Sequence, residues 1–129
     1  MVTKKEVITK LVAARNLVKK GWCKNHHAES KSGKVVDANS RCAVKFCASG
    51  ALRRVTKTNY DLLIACLHVV EQKLPKPQGI SDFNFITEYN DKVTTTKQDI
   101  IALFKNALTY LRTTKLMQFT SCGKKFYIE

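Results

Sequence analysis

Apolar residues recur along this chain at helical spacing, in stretches separated by polar or glycine-containing breaks, a pattern that predicts helices for most of its length. Val7, Leu11, Ala14 and Val18 form one stripe, opened by a Thr3-x-x-Glu6 capping box and stopped at Gly21. Lys5, Lys19 and Lys20 fall on the opposite arc at about 100° per residue. A second helix is expected from a cap at Asn39 or Ser40 to about Val55. Its inward set is Val44, Cys47, Ala48, Ala51 and Val55, with Phe46, Arg53 and Lys57 projecting from the other side. A third starts at a Thr58-x-x-Asp61 box, buries Leu63, Leu67, Val70 and Leu74, and ends before Pro75.

The breaks carry their own signals. Residues 24–39 read as a loop with a turn at Ser32-Gly33-Lys34 and a short extended piece at Val35-Val36. Pro75 to Gly79 is a second loop. Ser81 caps a short helix through about Tyr89, and Thr95 or Thr96 caps a long one to about Arg112. That last helix turns Ile100, Leu103, Phe104, Ala107 and Leu111 inward. Lys115 to Thr120, Ser121-Cys122-Gly123-Lys124, and Lys125 to Ile128 read as strand, turn and strand. A lone hairpin is marginal, so it must pack on the helices or pair with Val35-Val36. The expected fold is mainly α: a compact bundle of about five helices with a small C-terminal β-hairpin. One helical domain spans residues 1–129, with 113–129 as its hairpin tail.

Composition narrows the class. With 129 residues, 44% hydrophobic and 26% charged, the chain suits one globular domain and is unlike a disordered one. The longest apolar run, Leu62 to Val70, is interrupted by His68 and is about half of a membrane span. Met1-Val2-Thr3-Lys4-Lys5 does not open a secretory signal, because Glu6, Thr9 and Lys10 interrupt the apolar positions that follow. Five cysteines, an odd number at scattered spacings, point to reduced thiols and a cytoplasmic protein.

Charge changes the picture most. Residues 1–57 carry fourteen basic residues against Glu6, Glu29 and Asp37, a net of +11, whereas residues 58–129 carry a net of only +2. Such asymmetry points to an anionic partner for the N-terminal half. Lys19, Lys20, Lys24, Arg41, Lys45, Arg53, Arg54 and Lys57 are the candidate phosphate contacts, and Trp22 and Phe46 lie among them as surfaces for bases to stack on. No DNA-reading motif appears, so base-specific readout is not expected.

Other chemistries fit less well. Cys23, His26, His27, Cys42 and Cys47 suggest zinc, but on one helix Cys42 and Cys47 would point about 140° apart. A cysteine nucleophile at Cys23 or Cys47 has His26, His27 or His68 nearby in sequence. Neither thiol, however, is expected at a helix N-terminus, where its pKa would fall most. His68 shares the polar side of its helix with Asp61 and Gln72. Asp37, Asn90 and Asp91 form a candidate polar pocket beside Trp22; the plainer account makes Asn90 a left-handed helix end. Phosphate-binding glycine loops, H-E-x-x-H and G-x-S-x-G are absent.

Several strings together carry a resemblance: Gly21-Trp22-Cys23, Asp37, Phe46-Cys47-Ala48-Ser49-Gly50-Ala51-Leu52, Ile86 with Tyr89-Asn90-Asp91, and Leu103-Phe104. They resemble a small uncharacterised family of bacterial and phage proteins. The resemblance implies a compact helical domain of bacterial or phage origin and supplies no catalytic residue. Tryptophan is usual in that family where Phe46 and Tyr89 stand here, so an aromatic ring is kept and the indole N–H is lost.

The function expected from these features is that of a non-catalytic binding protein. Its basic N-terminal face would hold nucleic acid, a nucleotide or another phosphorylated small molecule, with no metal, cofactor or membrane partner. The alternative is an interaction module or inhibitor docking an acidic host protein. A small cysteine-dependent enzyme using Cys23 or Cys47 with Asp37, Asn90 and Asp91 ranks third.

Overall fold

Thr3 starts the first helix as its sequence signal predicts: its Oγ1 accepts the Glu6 N–H at 3.1 Å, and α1 runs Lys4–Lys20. The computed structural model describes residues 2–75, 84–115, 117–121 and 123–129. After α1 come three two-residue strands, β1 (Ala28–Glu29), β2 (Val35–Val36) and β3 (Lys45–Phe46). Four helices follow: α2 (Ala48–Thr56), α3 (Tyr60–Glu71), α4 (Asn84–Asp91) and α5 (Lys97–Thr113). The hairpin β4 (Met117–Ser121) and β5 (Lys124–Ile128) ends the chain. The protein is mainly α.

The N-terminal stripe of α1 is buried as expected, and α1 lies against both α2 and α5. The capping box of α5 forms at Thr96, whose side chain accepts the Asp99 N–H while Asp99 accepts the Thr96 N–H. Ile100, Leu103, Phe104, Ala107 and Leu111 all face inward, so the periodic reading of α5 holds throughout. Asn59, not Thr58, caps α3 by accepting the Leu62 N–H at 3.1 Å. The helix ends at Glu71, short of the expected stop before Pro75. It is buried on almost every side, because the other helices and the hairpin surround it. The expected Ser81 cap and most of the Pro75 to Gly79 loop lie outside the described residues.

The second helix departs most from its sequence signal. Residues 40–44 form turns, Lys45–Phe46 joins a sheet, and α2 begins only at Ala48. Val44 is 46% exposed and Phe46 only 2%, the reverse of the expected orientation. Strand alternation explains the reversal: Phe46 pairs with Ala28 and Lys45 with Glu29 in a β2-β1-β3 antiparallel sheet. The turn at Ser32-Gly33-Lys34 links β1 to β2, with Gly33 at φ +88. Val35-Val36 is indeed extended and belongs to this sheet, whereas the C-terminal hairpin packs on the helices.

Side chains of β4 and β5 alternate, sending Met117, Phe119, Phe126 and Ile128 into the core. Val2 bridges to Ile128, tying the N-terminus to the hairpin edge. His68 stacks flat on Phe119, ring centroids 3.8 Å apart, and Phe119 stacks on Phe126 at 5.2 Å. The exposed polar position expected for His68 is therefore corrected, since the hairpin covers that side of α3. Burial pushes the imidazole pKa down to about 4. All helices and both sheets contribute to one apolar cluster. No described helix is long and apolar enough to cross a membrane.

Candidate functional site

The junction between β3 and α2 is where the polar side chains converge. Cys47 is the N-cap of α2, and its Sγ accepts the Gly50 N–H at 3.2 Å. This overturns the expectation that no thiol sits at a helix N-terminus. Such a position ordinarily favours a thiolate. Here burial acts first and most strongly and holds the Cys47 pKa above its usual value, although the Gly50 and Ser49 amides pull the other way. Cys23 is likewise pushed up to about 12, chiefly by burial. Both thiols are therefore protonated at neutral pH and serve as packing and hydrogen-bonding groups.

Gly50 makes the junction possible. A Cβ there would lie 1.9 Å from the His27 carbonyl oxygen, so only glycine lets the first turn of α2 press against that backbone. The Cys47 N–H donates to the same His27 carbonyl at 3.1 Å. Loop 21–27 is thereby held along β3, with Trp22 bridged to Phe46 and the Cys23 N–H donating to the Phe46 carbonyl.

Asn90 joins α4 to this assembly. Its Oδ1 accepts the Trp22 indole N–H at 2.8 Å and the Ala48 N–H at 3.0 Å. Its Nδ2 donates to the Cys23 carbonyl at 3.1 Å and to Asp91 Oδ1 at 2.9 Å. The residue is fully buried, and both polar atoms of its side chain are engaged. Asn90 does not end its helix in a left-handed turn: α4 continues through Asp91, and the non-glycine residues at positive φ are Asn25 and Lys57 among those described. Asn25, at φ +71, directs its N–H to Asp91 Oδ1 at 2.8 Å.

A cleft of about 250 Å³ opens here, lined by Asn25, His26, His27, Cys47, Thr87 and Asp91. Desolvation holds the His27 pKa below its usual value and Arg53 adds to the effect, while Asp37 and Asp91 oppose it. The Arg53 Nε–H is buried without a partner among the described residues. The same loop gathers Cys23, His26 and Glu29, whose ligating atoms all lie within 4.8 Å of one another, and His26 contacts Glu29 directly.

Of the sequence-derived polar pocket, Asn90 and Asp91 meet beside Trp22. Asp37 stands apart from the lining; it accepts the Asn39 N–H at 2.8 Å in a turn and reaches His27 only through its field. Phe46 is in the core and presents no open face for stacking, correcting its expected position. Trp22 is half-buried, with Lys24 Nζ 5.3 Å from its ring centroid. Asn25, Thr87 and Glu29 were missed by sequence reasoning. Glu29 alone had a local signal, its C-x-x-H-x-x-E spacing from Cys23.

Of the eight candidate phosphate contacts, Lys24 lies over the Trp22 ring, Arg54 lies near the Phe46 ring and Lys45 precedes Phe46 in β3. Gly21 packs against the Val44 carbonyl and the Lys45 stem, bringing the end of α1 with Lys19 and Lys20 to β3. The Arg54 guanidinium lies 5.8 Å from the Phe46 ring and donates to the Ala38 and Ser40 carbonyls, next to Arg41. Lys24 donates to the Lys92 carbonyl at 2.5 Å. Lys57 ends α2 on an exposed position. Among the described residues only Lys45 of the eight approaches a carboxylate, Glu29 Oε1 at 4.0 Å.

Fold and site together define a small, mainly helical protein with a polar cleft where a helix N-terminus meets a three-stranded sheet. A family model described as a family of unknown function, DUF6197, matches residues 3–110, and the chain belongs to that family. The matched span contains every residue lining the cleft and stops before the hairpin. No curated protein and no solved structure matches the chain.

Proposed function

We propose that this protein is a non-catalytic binding protein that holds nucleic acid or a nucleotide on its basic N-terminal face, in the cytoplasm of a bacterium or of a phage-infected host cell. The observation that carries the reading is how few carboxylates approach these cations among the described residues. Fourteen basic residues in residues 1–57 face three acids, and of the eight candidate contacts only Lys45 comes within 4.0 Å of a carboxylate among the described residues. Uncompensated cations attract phosphates and release condensed counterions when they bind. Trp22 is the aromatic surface left for a base, its backbone held to Phe46 by the strand bridge. Arg54 serves a second purpose in this reading, since its bonds to the Ala38 and Ser40 carbonyls hold Arg41 in place. The protonated thiols weigh against cysteine chemistry.

The test is a salt titration with single-stranded and duplex DNA, RNA and nucleotides. Affinity for the bound species falls steeply between low and physiological salt, by roughly one counterion per phosphate contact. Replacing Lys20 and Arg41 with glutamate lowers both affinity and slope. Absence of binding to every one of these ligands at low salt removes the proposal.

A further inference from the structure

We propose that Cys23, His26 and Glu29 form a binding site for a divalent transition-metal ion of the zinc type, held by a thiolate, an imidazole and a carboxylate. Their ligating atoms lie within 4.8 Å of one another. In a tetrahedral complex with bonds of about 2.0–2.3 Å, neighbouring donors stand about 3.3–3.8 Å apart, so small side-chain adjustments bring all three onto one ion. The mixed sulfur, nitrogen and oxygen set suits zinc or cobalt and disfavours magnesium and calcium, which take oxygen ligands.

The contact between His26 and Glu29 engages two of the three side chains, and the third, Cys23, brings its sulfur beside them. Cys23 is 6% exposed, and its Sγ donates to the His26 carbonyl at 3.5 Å, a weak bond that a metal would replace. The backbone that carries the donors is anchored independently of any ion. The Cys23 N–H is bound to the Phe46 carbonyl, its carbonyl to Asn90, and Asn25 to Asp91. Glu29 lies in β1, opposite Lys45. Lys45 Nζ, 4.0 Å from Glu29 Oε1, steadies one carboxylate oxygen, while Oε2 and His26 Nε2, now in contact with each other, would part to take the metal between them.

On one helix Cys42 and Cys47 would point apart, which disfavours zinc from the sequence. The structure changes that premise without restoring those ligands: Cys42 is exposed in a turn, and Cys47 Sγ is taken by Gly50. Glu29 supplies the third donor instead. Three protein ligands leave a fourth position for water or a bound molecule, the arrangement of an open site. Of the three donors, His26 also lines the cleft. When the metal binds, the Cys23 thiol loses its proton to solvent and the Sγ–metal bond forms, with no change of oxidation state.

The experiment titrates the full chain with cobalt(II) alone, after chelation and thiol reduction. The expected result is one equivalent bound, with a thiolate-to-cobalt band in the near ultraviolet, visible bands of tetrahedral intensity, and loss of both on adding zinc. Cys23→Ser removes the thiolate band. Glu29→Gln keeps that band but weakens affinity beyond the roughly 10–100-fold that loss of an outer partner costs. Cys42→Ser leaves the titration unchanged. Circular dichroism checks each fold; if Cys23→Ser does not fold, His26→Gln stands in and must weaken binding as Glu29→Gln does. No stoichiometric cobalt binding, or a thiolate band that survives in folded Cys23→Ser, overturns the site.

Discussion

The indole N–H of Trp22 donates to Asn90 Oδ1 at 2.8 Å, joining the loop after α1 to the end of α4 across 68 residues of sequence. The same oxygen accepts the Ala48 N–H at the start of α2, so one buried amide links three helical segments. Asn90→Ala strands both donors and the Cys23 carbonyl away from water. The expected cost is about 2–4 kcal/mol, read as a lower urea midpoint together with a changed Trp22 emission. An unchanged midpoint would mean that water replaces the amide without loss.

Gly50→Ala tests the contact between α2 and the His27 backbone. The added methyl meets a carbonyl oxygen at 1.9 Å, and backbone cannot swing aside as a flexible side chain can. Destabilisation of about 2 kcal/mol or more is expected in chemical denaturation, near the top of the usual overpacking range.

His68 makes stability depend on pH. Its folded pKa is near 4 against 6.5 for the free side chain, because burial under the hairpin disfavours the charged ring. Between those values the unfolded chain binds more protons, so this contribution is full above pH 6.5 and is lost as pH falls towards 4. With the ring half-buried, solvent screening reduces the effect to about 1–2 kcal/mol. His68→Phe keeps a ring against Phe119 and should flatten most of this slope in denaturation curves measured from pH 7 to 4.5.

The described thiols should separate cleanly by reactivity. Cys42 is exposed, whereas Cys23 and Cys66 are pushed up to about 12 and Cys47 is also raised, chiefly by burial. Iodoacetamide at pH 7 should modify Cys42 and spare those three, as located by peptide mass spectrometry. Rapid native alkylation of Cys47 would revive a cysteine-dependent reaction in the cleft.

Lys57 tests the proposed binding face separately from stability. It caps α2 at φ 51 and ψ −114, a conformation that costs a side chain and suits glycine. Lys57→Gly should raise stability by about 1 kcal/mol in thermal or urea unfolding while weakening nucleic-acid affinity by one phosphate contact. A parallel loss of both would place Lys57 in the fold and not on the binding face.

What the sequence determined by itself is the local part. The caps at Thr3 and Thr96, the stripes of α1 and α5, the Gly33 turn and the alternating hairpin rest on interactions within a few residues, which spacing records directly. Residues 40–47 misled because two-residue strands are too short to show a period, and Cys47 is not among the usual capping residues. Tertiary structure decided the rest: Phe46 inward, His68 beneath the hairpin, Cys47 at a helix start, and the cleft itself. Its partners, from Trp22 and Asn25 to Asn90 and Asp91, meet through bonds between segments more than sixty residues apart. Burial and chain crossing create those contacts, and no local pattern of side chains encodes them.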